Sequence, residues 1–218
     1  NMNIANFLQR SGRMYRDSYA LALGSRGSAT YGQLSSRAAK LAGTLLQKFD
    51  LTAGDRVAII AKNVPEYLEI IYGCWHAGLT IVPINAKLHV NEYAFILKDS
   101  GARLCFLSED LSFSFKSIDG SKLEKVIKLG TPTYDELFDY KEVQIASCHS
   151  DTIAWIFYTS GTTGQPKGAA LTHRNLLAMC HCYFTDVDCE GVSEAILHVA
   201  PMSHGSGLYS LAHVMQGT

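Results

Sequence analysis

The sequence predicts an α/β fold, a mostly parallel sheet flanked by helices, and three observations predict it. Short apolar runs alternate along the chain with longer amphipathic segments, the order that builds parallel sheets through helical crossovers. The strand-like runs are apolar throughout instead of alternating, as strands covered on both faces are. Hydrophobic residues make up 47% of the 218 and charged ones 18%, enough to form a packed core and too little charge for a disordered chain.

The elements follow in order. Thr30 with Gln33 reads as a capping box opening a helix over 34–48, with Leu34, Ala38, Leu41 and Leu45 as its apolar stripe. Gly54-Asp55 forms a turn into a strand over 57–61. Asn63 with Glu66 opens the next helix. There Val64, Tyr67, Leu68, Ile71, Tyr72 and Trp75 share one face, and Gly78 stands at the C-terminal cap. A strand over 80–84 leads to a third helix, starting at Asn91 and ending near Gly101, then to a strand over 104–107. Residues 116–148 mix polarities around Pro132 and are expected to run along an edge of the sheet. A strand over 153–158 precedes a fourth helix, from Thr172 to about 188, and a last strand covers 196–200. The aromatic stripes read as core.

Charge and composition exclude several classes. A net charge of −1 leaves no electrostatic footprint for nucleic acid. No apolar run approaches the roughly 18 residues of a membrane span. Residues 1–4 have neither the basic nor the apolar region of a secretion signal, so a cytoplasmic location with reduced thiols is expected for the six cysteines. Cys180, Cys182 and Cys189 invite a metal reading. The gap between the first two is shorter than zinc pairs use, and on a helix they point to different sides, so no metal site is expected.

Residues 158–168, YTSGTTGQPKG, are the most informative stretch. Glycines bring backbone N–H groups close to oxygen atoms, hydroxyls add donors, and Lys167 adds a positive charge: a polyphosphate grip following a buried strand. A Walker loop fails on spacing. Lys167 follows Pro166 where that motif needs glycine, and precedes Gly168 where it needs a hydroxyl. A plain polar turn uses fewer such residues in a row.

This loop resembles the signature of the adenylate-forming superfamily: acyl- and aryl-CoA synthetases, peptide-synthetase adenylation domains and luciferases. Further segments agree in order: Thr30-Tyr31-Gly32-Gln33-Leu34, Gly54-Asp55-Arg56-Val57-Ala58, Asn63-Val64-Pro65-Glu66, Gly78 with Val82-Pro83-Ile84-Asn85, Leu171-Thr172-His173-Arg174-Asn175-Leu176, and 200–208, APMSHGSGL. Ala169-Ala170 departs from the pattern, where valine commonly follows the glycine.

The resemblance implies part of the large N-terminal domain of the acyl-CoA synthetase-like fold. It also implies a two-step reaction using ATP, Mg2+ and coenzyme A to activate a carboxylic acid, fatty or aryl. Thr159, Ser160, Gly161, Thr162, Thr163 and Gly164 would contact the β- and γ-phosphates. Lys167 would add charge or hold the loop, and His204 would gate the acyl pocket. His173 is expected to be structural, and His198 a satisfied core or surface residue. Ser203, Gly205, Ser206 and Gly207 are small and would leave room for a bulky acid. The family's Tyr-Gly-x-Thr-Glu and Thr-Gly-Asp elements, its ribose-gripping aspartate and its mobile catalytic-lysine domain have no counterpart here. Residues 1–218 therefore read as an incomplete N-terminal AMP-binding domain, with no catalytic residue assigned and no turnover expected alone. Exposed strand edges would allow a homodimer. Two other readings stay open: a non-catalytic nucleotide-binding or assembly module, and an amino-acid adenylation domain of a peptide synthetase.

Overall fold

A computed structural model describes residues 2–112, 118, 120–159, 165–187 and 195–218. The helices are α1 (Ala5–Met14), α2 (Tyr31–Gln47), α3 (Glu66–His76), α4 (Val90–Ser100), α5 (Pro132–Asp135), α6 (His173–Asp186) and α7 (Gly205–Gln216), with a 3-10 turn over Glu136–Phe138 after α5. The strands β1 (Tyr19–Leu23) and β2 (Arg26–Thr30) make a separate antiparallel hairpin. The main sheet contains β3 (Arg56–Ala61), β4 (Thr80–Asn85), β5 (Leu104–Leu107), β6 (Lys125–Lys128), β7 (Ile153–Thr159) and β8 (Lys167–Thr172), in the order β6-β5-β3-β4-β7-β8. Every pairing is parallel except β7–β8, so the expected mostly parallel sheet is present.

Covering both faces explains the unbroken apolar runs. Val57, Ile59 and Ala61 of β3 join the larger core, with α1, α2, α3 and α6, while Ala58 and Ile60 join a second core beneath α4. In the larger core α2 lies directly on α3: a Cβ at Gly73 would come within 2.7 Å of Leu41 Cδ2. Trp75 is fully buried, and its indole N–H donates to the Ala154 carbonyl at 2.8 Å, tying α3 to β7. The buried Glu69 carboxylate takes Arg37 Nε at 2.5 Å, Arg37 Nη2 at 3.0 Å and the Tyr134 hydroxyl at 2.9 Å, which joins α2, α3 and α5.

The capping box at Thr30 forms as expected, Thr172 starts its helix as expected and does so through a box with Asn175, and Gly101 caps α4 in the left-handed region at φ +61°. Four expectations are corrected. Asn63 does not cap α3. Pro65 already supplies a helical φ at the N-cap, and the Asn63 side chain reaches elsewhere. Asn91 does not start α4, because His89 and Glu92 form the box and the helix begins at Val90. The fourth helix ends at Asp186, short of 188. Residues 196–200 form no strand: a strand needs a ladder partner, and here the His198 and Ala200 carbonyls accept from Asn63 Nδ2 at 2.9 Å each, leaving Leu197 and Val199 exposed. The 116–148 region does supply an edge strand, β6.

Candidate phosphate and acyl site

Loops at the carboxyl ends of parallel strands are where open α/β sheets bind ligands. Here the ends of β4 and β7 meet the start of α4 and the N-terminus of α7. Residues 160–166 connect β7 to β8, and the two stems pair Thr159 with Lys167 and Tyr158 with Gly168. Thr159 and Lys167 are both exposed and sit opposite each other at the base of the loop. Ser160, Gly161, Thr162, Thr163 and Gly164 lie outside the described residues. β8 itself was missed by sequence reasoning. Its KGAALT composition shows no strand alternation, and only hairpin pairing with β7 makes it one.

A cavity of about 170 Å³ lies beside Thr159, between Asn85 of β4, Glu92 of α4, Tyr158, Pro166, Ser203 and His204. His204 occupies the N-cap position of α7 without a side-chain cap bond, and its half-buried ring stands 5.6 Å from that of Phe157. It therefore borders both the cavity and β7. Ser203 is buried, and its hydroxyl has no hydrogen-bond partner among the described residues, which leaves a donor and an acceptor available at the cavity wall.

The small residues around His204 serve different ends from those expected. Ser203 does line the cavity. Gly207, however, is filled by backbone: a Cβ there would lie 2.0 Å from the Met202 carbonyl oxygen. Ser206 is engaged with His198 Nδ1 at 2.7 Å. Room for a bulky acid is therefore not read from all four. Asn63 is the positioning residue that sequence reasoning missed. Its Oδ1 accepts from Met202 N–H at 2.9 Å while its Nδ2 holds two carbonyls upstream, so one side chain fixes the approach to Ser203 and His204. Pro65 two residues on was the available signal, since it made a separate cap unnecessary.

His173 is fully buried at the start of α6, and its Nδ1 accepts the Ile4 N–H at 3.2 Å, a structural role as expected. Burial lowers its pKa to about 4, so it is neutral at physiological pH. Burial, and then the charge of His213, also lower that of His198. Cys180 is buried and Cys182 exposed, on different sides of α6, while Cys189 lies outside the described residues. Among the described residues no three His, Cys, Asp or Glu side chains cluster to hold a metal ion. None of the described helices is long and apolar enough to cross a membrane.

The family model described as AMP-binding enzyme matches residues 8–218. A feruloyl-CoA synthase from Amycolatopsis sp is 32% identical over 209 residues, covering 95% of this chain and 41% of that protein. Long-chain-fatty-acid–CoA ligase FadD13 from Mycobacterium tuberculosis is 31% identical over 188 residues, 82% of this chain and 36% of its own length. Among solved structures, o-succinylbenzoate CoA synthetase from Bacillus subtilis, in complex with an acyl-adenylate intermediate, superposes with a TM-score of 0.81 at 28% identity, covering 98% of this chain and 54% of that one. The chain thus spans about two fifths of the length of the feruloyl-CoA synthase it matches.

Proposed function

The chain belongs to the AMP-binding enzyme family, and we propose that the protein containing it is an ATP-dependent carboxylic acid–CoA ligase. In the first step a carboxylate oxygen attacks the α-phosphorus of ATP, forming an acyl-adenylate and expelling pyrophosphate. In the second the thiol of coenzyme A attacks the acyl carbon, forming the thioester and releasing AMP and a proton. The observation that carries this reading is the hairpin 158–168 at the carboxyl end of β7, with Thr159 and Lys167 facing each other beside the cavity bordered by His204.

Each part has a physical task. The first step moves negative charge onto pyrophosphate. Thr159, Ser160, Gly161, Thr162, Thr163 and Gly164 would donate to the oxygens that gain this charge, and Lys167 would add a cation at the loop's exit. Magnesium would enter with the ATP phosphates, since that ion prefers substrate phosphates plus few protein ligands and no described cluster holds a metal by itself. His204 and Ser203 would border the carboxylic acid. The location proposed is the cytoplasm, where ATP and coenzyme A are available.

The 218 residues alone are proposed not to turn over. The resemblance assigns the adenine, ribose and lysine contacts to motifs that this sequence does not contain. The test is thioester formation by the full-length protein across a panel of fatty and aryl acids, with AMP and pyrophosphate as co-products. A chain that releases ADP, or forms no thioester with any acid, contradicts the assignment.

A further inference from the structure

Tyr158 is the last residue but one of β7 and stands opposite Gly168 across the hairpin. Its ring occupies the space a side chain at 168 would need: a Cβ there would come within 3.0 Å of Tyr158 Cζ, 3.2 Å of its Oη and 3.0 Å of Ile156 Cγ2. The ring is buried in the core beneath α4, and the hydroxyl emerges at the last turn of that helix to donate to Asp99 Oδ2 at 2.6 Å. An aspartate is unfavourable there, because the C-terminal end of a helix already carries partial negative charge. A phenol hydroxyl delivered to that carboxylate offsets the local penalty. Burial first, and then the bond to Asp99, push the phenol well above its ordinary pKa, so it remains a donor at neutral pH.

We propose that Tyr158, held by Asp99, is a positioning residue for the phosphate loop: it pins both stems of the hairpin, at Thr159 and Lys167, to helix α4. The inference rests on the adenylation reading above and adds to it the residue pair that sets the loop's base. The ring covers the second stem at Gly168, while the hydroxyl ties the first to an element outside the hairpin. Residues 160–166 join the two stems, and the pairing of Thr159 with Lys167 and Tyr158 with Gly168 sets where that segment leaves and re-enters the sheet. A binding element that is competent only part of the time loses affinity in proportion, so a pair that fixes its base acts on ATP affinity. Tyr158 also lines the cavity beside His204, whereas Asp99 does not, so the Asp99 variants separate an effect on the hairpin from an effect on the cavity wall.

The test uses the full-length protein with Tyr158→Phe, Asp99→Ala, Asp99→Asn and the double variant Tyr158→Phe/Asp99→Ala. In carboxylate-dependent ATP–pyrophosphate exchange, Tyr158→Phe and Asp99→Ala should each raise KM for ATP about fivefold, the loss of one hydrogen bond to a partly exposed carboxylate. In Asp99→Ala, whose residue does not line the cavity, KM for the acid should not change, and the double variant should be no worse for ATP than either single one. Asp99→Asn keeps an acceptor and should retain most of the wild-type affinity. Hydrogen exchange supplies a readout independent of activity. Amides at 156–159 and 167–171 should exchange about fivefold faster in Tyr158→Phe, with those of β3 and β4 unchanged. Unchanged KM for ATP, equal rises in both KM values for Asp99→Ala, additive effects in the double variant, or unchanged hairpin exchange would each overturn the proposal. If the wild-type protein shows no exchange reaction with any acid, the ligase reading fails, and amide exchange alone decides whether Tyr158 pins the hairpin.

Discussion

His173 makes stability depend on pH in a calculable way. Its imidazole is fully buried and accepts the Ile4 N–H, so the folded chain holds it neutral with a pKa near 4. In the unfolded chain the ordinary value near 6.5 returns. Below that value the unfolded state takes up a proton that the folded state refuses until about pH 4. The stabilisation is therefore fully present above 6.5, falls as pH drops through the window to about 4, and levels off below it. At 1.36 kcal/mol per unit the full gap amounts to about 3 kcal/mol, of which about 2 kcal/mol is lost by pH 5. His173→Gln keeps an acceptor for Ile4 and cannot titrate. Urea denaturation of both proteins at pH about 8 and about 5 isolates the effect, because His76 and His198, which burial also depresses, remain in each. The wild type should lose about 2 kcal/mol more than the variant between the two pH values. Parallel losses would refute the buried neutral imidazole.

Other outcomes follow from the same geometry. Glu69→Ala leaves the Arg37 guanidinium and the Tyr134 hydroxyl without their shared acceptor. It should lower the urea-derived stability by about 2 kcal/mol, less than for a fully buried pair because the Arg37 side chain stays 37% exposed. Lys167→Ala, at an exposed position, should shift stability by no more than about 0.5 kcal/mol while lowering pyrophosphate exchange at least about tenfold. Gly207→Ala drives a Cβ into the Met202 carbonyl, so it should destabilise by about 2 kcal/mol and raise KM for the acid by moving Ser203 and His204, read by melting and steady-state kinetics. In native protein a thiol reagent should modify Cys182, whereas Cys74, Cys105 and Cys180, all buried with raised pKa values, should react only on unfolding.

Where local chemistry and tertiary packing agree, the sequence was legible. Thr30 with Gln33 and Thr172 with its helix are settled within a few residues by capping, and both form. The apolar runs of β3, β4, β5 and β7 declared strands covered on both sides, and they are. What stayed hidden depends on partners distant in the chain. β8 is a strand only because β7 folds back on it, and its own residues carry little preference. Residues 196–200 have strand composition, yet Asn63, 135 residues from His198, takes the carbonyls a ladder would use. α7 begins with Gly205-Ser206-Gly207, a poor helix start whose second glycine is required by the Met202 backbone beneath it. At the site, composition marked 158–168 as a candidate phosphate grip and the family resemblance named its contacts, of which 160–164 lie outside the described residues. The Tyr158–Asp99 pair and the Asn63 clamp were not legible, because each joins segments far apart in sequence.

The central claim is that a carboxylate oxygen becomes bonded to the α-phosphate of ATP. The most direct measurement supplies the full-length protein with a carboxylic acid labelled with heavy oxygen, ATP and coenzyme A, then weighs the products. Thioester formation through an acyl-adenylate predicts one heavy oxygen in AMP and none in pyrophosphate. Label in inorganic phosphate with release of ADP, or AMP without label, would contradict the account.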